Sequence, residues 1–377
     1  MRILLCPDKY KGSLSAPLVV DAMAEGVSRA FPHAQVDRAP MADGGDGTVD
    51  AFLSAAGGRR VPVMVTGPLG IPIQSFFGLL PNGTAVIEMA AASGLSLVPA
   101  DQRNPMETTS YGTGQLIKAA ILEGAHRIIM GIGGSATNDG GMGMLAALGM
   151  GFFDAAGGEI TAYTGGDMLR VAQVNTTGLL PQLSKVNIQV ACDVTNPLTG
   201  PDGASHIFGP QKGATPQMIQ ALDEGLGAFG ALVAQALSRP YETLAGAGAA
   251  GGMGGALYAI GGELCKGTAL VMDAIDLESR MALCDMVLTG EGATDTSTLY
   301  GKVPHAVGQM ALAQKKPCYC ISGSLFPGFE PLYHGGITAA FSILNQPMDL
   351  EAAFSNTAAM VSQTTENLMR VIAAYRG

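Results

Sequence analysis

The chain has 377 residues and a formal net charge of −10, and 47% of its residues are hydrophobic. This length and composition predict two or three domains with sizeable cores and exclude a disordered chain. The acidic balance and the lack of a long basic run argue against nucleic acid or an anionic membrane as a partner. The 53 glycines stand in clusters without a collagen-like period, so they indicate turns and binding loops.

We expect neither a signal peptide nor a transmembrane helix in this sequence. The first apolar run, residues 3–6, is too short for a signal peptide, and Pro7 and Asp8 end it. Residues 244–262 are uncharged, but their many glycines argue against a transmembrane helix. The six cysteines are scattered and lack zinc spacing, so we interpret them as reduced thiols. We therefore expect a cytoplasmic protein.

The N-terminal segment predicts a strand, a loop and a helix. Residues 2–6 are an apolar run, and Ser15 precedes a segment with apolar residues at helical spacing. The loop between them reads PDKYKGSLS and follows the carboxyl end of the strand, where open α/β sheets bind ligands. For Asp8 and Lys11 we favour a functional role over solvated surface charge, whereas for Lys9 we favour surface charge.

A second loop, MADGGDGT at residues 41–48, follows a predicted strand at residues 35–38 and contains Asp43 and Asp46. It lacks the ligand spacing of a calcium loop, which excludes an EF-hand. Asp46 could simply cap the next helix, while a magnesium or substrate-hydroxyl role stays open.

From residue 60 the pattern changes to strands, predicted at 61–66 and 76–89, with Asn82-Gly83 as a hairpin turn in the second. We place a domain boundary near residue 65. Glu88 ends the hairpin among apolar residues, where an acid is either paired or part of a site. The hydroxyl-rich stretch TTSYGTG then precedes a helix and can cap it or contact a ligand.

The stretch GIGGSATNDGG at residues 131–141 follows a predicted strand and precedes a predicted helix. Its glycine amides can approach an anion, Ser135, Thr137 and Asn138 add donors, and Asp139 can meet a cation or cap a helix. The alternative is a tight turn that needs glycine only for its dihedral angles, and this segment alone does not decide between them.

A predicted strand at residues 188–192 leads to Asp193 in the loop DVTNPLTGPDGAS, which also contains Asn196. Lys212 follows among glycine and proline, ahead of a predicted helix at 215–237. A lone lysine there could be a solvated loop tip, but the nearby Asp and Asn side chains favour a phosphate contact.

Residues 246–251 read GAGAAG, which matches the G-x-G-x-x-G pattern of dinucleotide sites. No convincing strand precedes the match. We interpret it as a close-packed turn into a helix at 254–260, with a nucleotide contact as the less favoured alternative.

Near the C-terminus, a predicted strand at residues 286–289 runs into GEGATDTSTLYGK, which contains Glu291, Asp295 and Lys302. Acid, hydroxyl and lysine groups thus converge on one loop. Strand and helix then alternate again, with strands predicted at 318–322 and 337–344 and helices at 304–313 and 349–375.

Loops with glycine amides, lysines and aspartates at strand ends are typical of phosphoryl transfer. Amides and lysines hold phosphates, Mg²⁺ bridges them, and a carboxylate accepts the hydroxyl proton. Gly301-Lys302 is followed by Val303 and lacks the preceding glycine of a P-loop, and the protein-kinase signatures are absent as well. Both of these kinase classes are therefore excluded.

Seven segments in order resemble the bacterial glycerate kinase family: PDKYKGSLSA, MADGGDGT, EMAAASGL, TTSYGTG, GIGGSATNDGG, ACDVTNPLTGP with FGPQKGA, and LTGEGATDTSTLYGKVP. The resemblance extends from residue 1 to beyond residue 320. It implies an enzyme that uses ATP and Mg²⁺ to phosphorylate D-glycerate, mostly to 2-phosphoglycerate.

The resemblance also implies a two-domain α/β fold. A flavodoxin-like domain would comprise residues 1–65 and 286–377, and a larger α/β domain, residues 66–285, would be inserted in it. The active-site cleft would lie between the two domains. Assembly into a homo-oligomer stays open.

The chain departs from the family pattern at several positions. The family usually has arginine after GEG and glutamine before the threonine of that motif, where this chain has Ala293 and Ser297. Lys9-Tyr10 stands in place of Ser-Phe, and Asp46 replaces a glutamate. The missing arginine matters most, because lysine cannot fully replace its bidentate donor group.

Under this resemblance, Asp193 or Asp295 accepts the glycerate hydroxyl proton, while Lys11 and Lys212 neutralise carboxylate or phosphate charge. The substrate- and phosphate-binding residues would be Asp8, Ser13, Asp43, Gly133, Gly134, Ser135, Thr137, Asn138, Asp139, Asn196, Lys212 and Lys302. The metal ligands would be Asp43, Glu291 and Asp295. The alternatives are a kinase of another small hydroxy acid, a glycerate 3-kinase, or a ligand-binding relative without catalysis.

Overall fold

The structure is a computed structural model that describes residues 1–42, 44–45 and 47–376. The predictions made for Asp43 and Asp46 lie outside the described residues. By its internal contacts the chain forms two compact units. Unit 1 comprises Met1–Asp43, Asp50–Gly57 and Thr268–Gly377, and unit 2 comprises Gly44–Val49 and Gly58–Gly267.

Strands and helices alternate through much of the described chain. The strands are β1 (Arg2–Leu5), β2 (Gln35–Arg38), β3 (Arg59–Thr66), β4 (Pro72–Leu79), β5 (Thr84–Glu88), β6 (Arg127–Gly131), β7 (Gly151–Phe153), β8 (Gln173–Asn175), β9 (Asn187–Ala191), β10 (Glu263–Cys265), β11 (Met286–Thr289), β12 (Ala293–Thr294), β13 (Cys318–Ser322), β14 (Ser324–Leu325) and β15 (Ala339–Ser342). The helices are α1 (Ala16–Ala30), α2 (Thr48–Ala56), α3 (Ala90–Ser93), α4 (Tyr111–Leu122), α5 (Met142–Ala147), α6 (Gly165–Met168), α7 (Ala204–Phe208), α8 (Pro216–Leu237), α9 (Ala249–Ala259), α10 (Gly267–Ala274), α11 (Leu277–Ala282), α12 (Val303–Ala313), α13 (Leu350–Ser355) and α14 (Thr357–Arg376).

Unit 1 contains a parallel sheet with the strand order β15-β13-β11-β1-β2. This is the strand order of flavodoxin-like doubly wound sheets. The strands stay parallel, but successive strands are added on one side of β1 first and then on the other, and this change of side falls between β1 and β11. Ile3, Leu288 and Ile321 on the strands are buried in one core with Val27 of α1 and Val361 of α14. Because ligands of such sheets bind at the carboxyl ends of the two strands between which this change of side falls, the loops after β1 and β11 form the expected binding edge.

Unit 2 contains a six-stranded sheet with the order β10-β9-β6-β5-β4-β3. Strands β5, β6, β9 and β10 are parallel to one another, whereas β3, β4 and β5 form an antiparallel meander. The predicted hairpin at Asn82-Gly83 is confirmed, but its loop has three residues, 81–83, rather than two: the Leu80 amide donates to the Thr84 carbonyl, the Gly83 amide donates to the Leu80 carbonyl, and Gly83 has a φ of 74°. The predicted α/β class is confirmed. The contacts divide the chain at residues 43–44, 49–50, 57–58 and 267–268. The domain limits expected near residues 65 and 286 stay predictions.

Several elements differ from the prediction. The closing helix predicted at 349–375 is two helices, α13 and α14, separated at Asn356, whose side chain bonds back to the Ala352 carbonyl. The β7–β8 hairpin and the short strand β10 were not predicted, because three residues are too few to show a period. Among the described residues, no helix has the length and apolar character needed to cross a membrane.

Candidate active site

In unit 2 the carboxyl ends of three neighbouring parallel strands lie at one level. The register pairs Glu88 of β5 with Gly131 of β6, and Gly131 with Ala191 of β9. The segments that follow these residues therefore leave the sheet at the same edge. This is the edge at which open α/β sheets bind ligands.

Two glycine loops meet backbone to backbone at this edge. A Cβ atom on Gly131 would lie 2.4 Å from the carbonyl oxygen of Gly44, and one on Gly133 would lie 3.2 Å from the Cα of Gly45. Gly134 has a φ of 73° and, like Gly133, is exposed to solvent. The glycines thus serve both the tight turn and the close approach of a second loop, and the exposed pair leaves its backbone open to an anion.

The inner half of the same stretch is buried. Asp139 is 0% exposed, and its carboxylate accepts hydrogen bonds from the amide and the hydroxyl of Ser110 and from the amides of Gly141 and Gly143. Burial raises the pKa of Asp139, and the hydrogen bonds from Ser110 oppose that rise. The carboxylate therefore connects the first turns of α4 and α5. This arrangement favours a structural role for Asp139, and the predicted ligand contact stays a prediction.

Thr137 and Asn138 are buried as well, so they do not offer donors to solvent as the sequence predicted. The Asn138 side-chain amide donates to the Ser205 hydroxyl at 2.8 Å. Within the described part of the chain, Thr137 Oγ1 and Asn138 Oδ1 have no hydrogen-bond partner. Ser135 is 7% exposed, which leaves Gly133 and Gly134 as the accessible part of the loop.

Lys212 lies under this loop. Its side chain is 1% exposed, and Nζ donates to the Thr137 carbonyl at 2.5 Å. Burial lowers the pKa of Lys212 to about 7, against the negative charge of Asp139, which acts to raise it. The solvated-tip alternative is wrong, and the direct phosphate contact predicted for Lys212 is not favoured, since the ammonium does not reach the surface.

The GAGAAG stretch packs against the same peptide. Gly251 has a φ of 73°, a Cβ atom there would lie 2.1 Å from the Thr137 carbonyl, and its own carbonyl accepts from Gly140. Non-helical dihedral angles at residues 250–252 precede the regular part of α9. The interpretation as a close-packed turn is confirmed.

Two carboxylates border the glycine loops in unit 2. Asp193, two residues beyond β9, is exposed, and its Oδ1 accepts from the Gly267 amide at 3.0 Å. Glu88 is buried, and its Oε1 accepts from the Val49 amide at 2.7 Å, which anchors the start of α2. From the sequence, Glu88 was either a paired acid or a site residue, and it was not among the predicted binding residues. Its position at the end of an apolar strand was the available signal.

Asn196, which was predicted to bind substrate or phosphate, lies further along the same loop. Its side-chain amide donates to the Asp202 carbonyl, and its own carbonyl accepts from Gly248. These two bonds stabilise the conformation of the loop. The predicted ligand contact of Asn196 stays a prediction.

In unit 1 the loops after β1 and β11 run side by side. The Asp8 amide donates to the Gly290 carbonyl, and a Cβ atom on Gly292 would lie 3.1 Å from the Lys11 amide nitrogen. Tyr10 is buried and donates its hydroxyl to the Ile321 carbonyl at 2.6 Å. The structure thus brings the predicted residues Asp8 and Lys11 to the loop that carries Glu291, with Lys11 exposed.

The predicted convergence of acid, hydroxyl and lysine groups in the GEGATDTSTLYGK loop is confirmed. Glu291 is 6% exposed and accepts from the hydroxyls of Thr298 and Thr294 at 2.6 and 3.1 Å. Lys302 Nζ lies 3.6 Å from Glu291 Oε2 and 3.7 Å from Asp295 Oδ1.

The two carboxyl groups of this loop titrate differently. Burial raises the pKa of Glu291, against the Thr298 hydrogen bond and the Lys302 charge. Hydrogen bonds from Ser297 lower the pKa of Asp295, which is far more exposed. Asp295 is therefore the weaker proton acceptor of the two.

Ser13 was predicted to contact a ligand, but its hydroxyl is used within the protein. Ser13 Oγ lies 2.5 Å from the Thr357 hydroxyl and donates to the Phe354 carbonyl at 3.2 Å. These bonds attach the loop after β1 to α13 and to the start of α14.

No group of three or more His, Cys, Asp or Glu side chains in the described ranges is arranged to hold a metal ion. Mg²⁺ needs no such cage, because it commonly binds one or two carboxylates together with waters and substrate phosphates. Lys302 Nζ lies within 4 Å of both Glu291 and Asp295, and the assignment of these two carboxylates to Mg²⁺ stays a prediction. The third predicted ligand, Asp43, lies outside the described residues.

Comparison with known proteins gives consistent results. The sequence model of the glycerate kinase family matches residues 3–373. The chain is 45% identical over 370 residues to the glycerate kinase of Bacillus subtilis (strain 168), covering 98% of this chain and 97% of that protein. It is 46% identical over 375 residues to the glycerate 2-kinase of Escherichia coli (strain K12), covering 99% and 98%. A crystal structure of a protein assigned as glycerate kinase 2 from Salmonella typhimurium LT2 has a TM-score of 0.91 at 47% identity, covering 100% of this chain and 99% of that one.

Proposed function

The chain belongs to the glycerate kinase family, and from that membership we propose that it transfers the terminal phosphate of ATP to D-glycerate, with Mg²⁺, to give 2-phospho-D-glycerate. The proposed position of transfer follows the relative from Escherichia coli, which is named a glycerate 2-kinase. The observation that carries the proposal in the structure is the pair of glycine loops, which leave Gly133 and Gly134 exposed at the carboxyl edge of parallel strands.

In unit 2 the exposed backbone of Gly133 and Gly134 would bind a phosphate of ATP. Backbone amides aimed at a fixed point stabilise the charge that develops in phosphoryl transfer, because they do not reorganise during the reaction. Glycine permits the close approach, since a side chain at either position would stand in the way.

The proton acceptor in the proposal is Asp193. The D-glycerate hydroxyl oxygen attacks the terminal phosphorus, the bond to the ADP oxygen breaks, and the hydroxyl proton passes to the carboxylate. Asp193 is exposed at the end of β9, as a residue that meets a substrate must be. Asp295 is the less suitable candidate, because Ser297 lowers its pKa and holds its carboxylate as a helix cap.

In unit 1 the proposal assigns charge neutralisation to Lys11 and Lys302. Mg²⁺ supplies positive charge to the phosphates when it is bound with ATP, and Glu291 and Asp295 would be its protein ligands. The cleft between domains that the family resemblance implies stays a prediction.

The test is an assay of the purified protein with ATP, Mg²⁺ and D-glycerate, coupled through enolase without phosphoglycerate mutase. We expect ADP release and an enolase signal together, since enolase accepts the 2-phosphate directly. ADP release without an enolase signal would indicate the 3-phosphate. A panel of other small hydroxy acids serves as the control for the acceptor, and no ADP release with D-glycerate would contradict the proposal.

A further inference from the structure

The buried lysine under the glycine loop has no role in the proposed reaction so far. Among the described residues, the Thr137 carbonyl is the hydrogen-bond acceptor of Lys212 Nζ, at 2.5 Å, and the side chain is 1% exposed. Burying an ammonium group is costly unless it is paired and hydrogen-bonded. A lysine kept in such a position is a candidate for a functional role, and its hydrogen bond to the Thr137 carbonyl places that role at the Thr137 peptide group.

The Thr137 carbonyl is held by this lysine from within the protein. A Cβ atom on Gly251 would lie 2.1 Å from the same oxygen, so the GAGAAG turn closes one side of it. Next along the chain, Asp139 and the bond from Gly140 to Gly251 fix the backbone. On the other side, towards Gly134, the loop turns out to solvent. Lys212 therefore sits at the point where the fixed half of the loop meets the exposed half.

The charge around Lys212 is sparse. Among the described residues, Asp139 is the titratable group whose charge acts on it, and the polar side chains beside the loop, Asn138 and Ser205, bond to each other. A phosphate placed on the exposed glycines would add negative charge on the same loop. In a buried environment of low effective dielectric, that charge favours the protonated ammonium.

We propose that Lys212 is a positioning residue for phosphate binding: it holds the Thr137 peptide group and so directs the backbone of Gly133 and Gly134 towards a phosphate of ATP. This inference rests on the proposed function in one respect, the assignment of that loop to ATP. It assigns Lys212 no contact with substrate.

The test measures binding to the full-length protein by titration calorimetry with the Mg²⁺ complex of AMPPNP, a non-hydrolysable analogue of ATP, and separately with D-glycerate. The variant is Lys212→Met, which keeps the shape of the side chain and removes its donors and charge. The matched control is Lys118→Met, an exposed lysine on α4 of the same unit. Titrations at pH 8 in two buffers of different ionisation enthalpy give the number of protons bound with the analogue.

We expect Lys212→Met to weaken AMPPNP binding by about 10-fold or more, the equivalent of one charge-assisted hydrogen bond, and to leave the affinity for D-glycerate within about 2-fold. The wild type should take up a fraction of a proton on binding AMPPNP, and this uptake should disappear in Lys212→Met. Lys118→Met should match the wild type in all three measurements.

Unchanged AMPPNP affinity in Lys212→Met, or a parallel loss of affinity for both ligands, would overturn the inference. If Lys212→Met does not fold, Lys212→Gln, which keeps a hydrogen-bond donor but removes the charge, takes its place, and an unchanged AMPPNP affinity in that variant overturns the inference. The proposed function is tested separately by turnover: a wild type that binds AMPPNP as expected but does not phosphorylate D-glycerate refutes the function and leaves this inference in place.

Discussion

Lys212 makes the stability of the protein depend on pH. Its pKa is about 7 in the folded protein, compared with 10.5 for an ordinary lysine. Between these values the unfolded chain binds a proton that the folded chain does not, so stability rises as the pH is raised from 7 towards 10, by up to about 1.4 kcal/mol per pH unit. Below pH 7 both the folded and the unfolded chain carry the proton on Lys212, so the destabilisation caused by burying the ammonium no longer changes with pH.

We therefore expect the wild type to gain free energy of unfolding relative to Lys212→Met when urea unfolding is measured at pH 7, 8 and 9. Lys118→Met, an exposed lysine, should follow the wild type over the same range. Parallel pH profiles of the wild type and Lys212→Met would show that folding does not lower the pKa of Lys212.

The choice of proton acceptor is also decided at single residues. We expect Asp193→Asn to lower kcat by about 10²-fold or more, the usual contribution of a positioned general base, with a small change in the KM for D-glycerate. Asp295→Asn should also lower kcat, through its proposed contact with Mg²⁺, and this loss should shrink at higher Mg²⁺ concentration, whereas the loss in Asp193→Asn should not. Steady-state kinetics of both variants measure the difference.

Asp202→Asn is the control for these two variants, since Asp202 is exposed on the loop that also carries Asp193. It should keep wild-type kinetics. If Asp193→Asn and Asp295→Asn both remained folded with the wild-type kcat, neither carboxylate would be the base.

At the scale of elements, the GAGAAG turn packs closely against the Thr137 peptide group of the 131–141 stretch in unit 2. Gly251→Ala would place a methyl group 2.1 Å from the Thr137 carbonyl and force a residue with a side chain to adopt a φ of 73°. We expect a loss of about 2 kcal/mol or more in the free energy of unfolding, together with reduced activity, because the loop must move.

The control is Gly227→Ala within α8, where Thr199, at 3.8 Å, is the one contact that the new Cβ would make with the described residues outside the helix backbone. Alanine is the better helix former, so this variant should gain about 0.5–1 kcal/mol. Urea unfolding and kcat of both variants give the comparison, and similar effects of the two substitutions would contradict the close approach at Gly251.

For the whole molecule, the two units have separate hydrophobic cores. Met369 of α14 is fully buried in the core of unit 1, and Phe152 of β7 is fully buried in that of unit 2. We expect scanning calorimetry to resolve two unfolding transitions. Met369→Ala should reduce the free energy of unfolding of unit 1 by about 2–5 kcal/mol and so lower the midpoint temperature of one transition. Phe152→Ala should reduce that of unit 2 by about 3–5 kcal/mol and lower the midpoint temperature of the other.

Val371→Ala, at an exposed position of the same helix, controls for the change to alanine in α14 and should leave both transitions in place. A single transition lowered by both core variants would show that the molecule unfolds as one cooperative unit.

Local sequence pattern determined much of this protein. Buried parallel strands read as short apolar runs, which is why β1, β6, β9 and β11 and the polar loops after them could be predicted. The Asn-Gly pair predicted a hairpin, because glycine readily adopts the positive φ that such a turn needs. The glycine clusters predicted loops that other backbone segments approach closely.

Tertiary structure alone decided which polar side chains reach solvent. Within one stretch of eleven residues, Gly133 and Gly134 are exposed while Asp139 is fully buried, and no periodicity in the stretch separates them. The covering groups come from distant segments, namely Ser110, Gly251 and Lys212. Burial of a loop residue depends on what packs over it, and for that reason the sequence alone could not separate the exposed glycines of this stretch from its buried polar side chains.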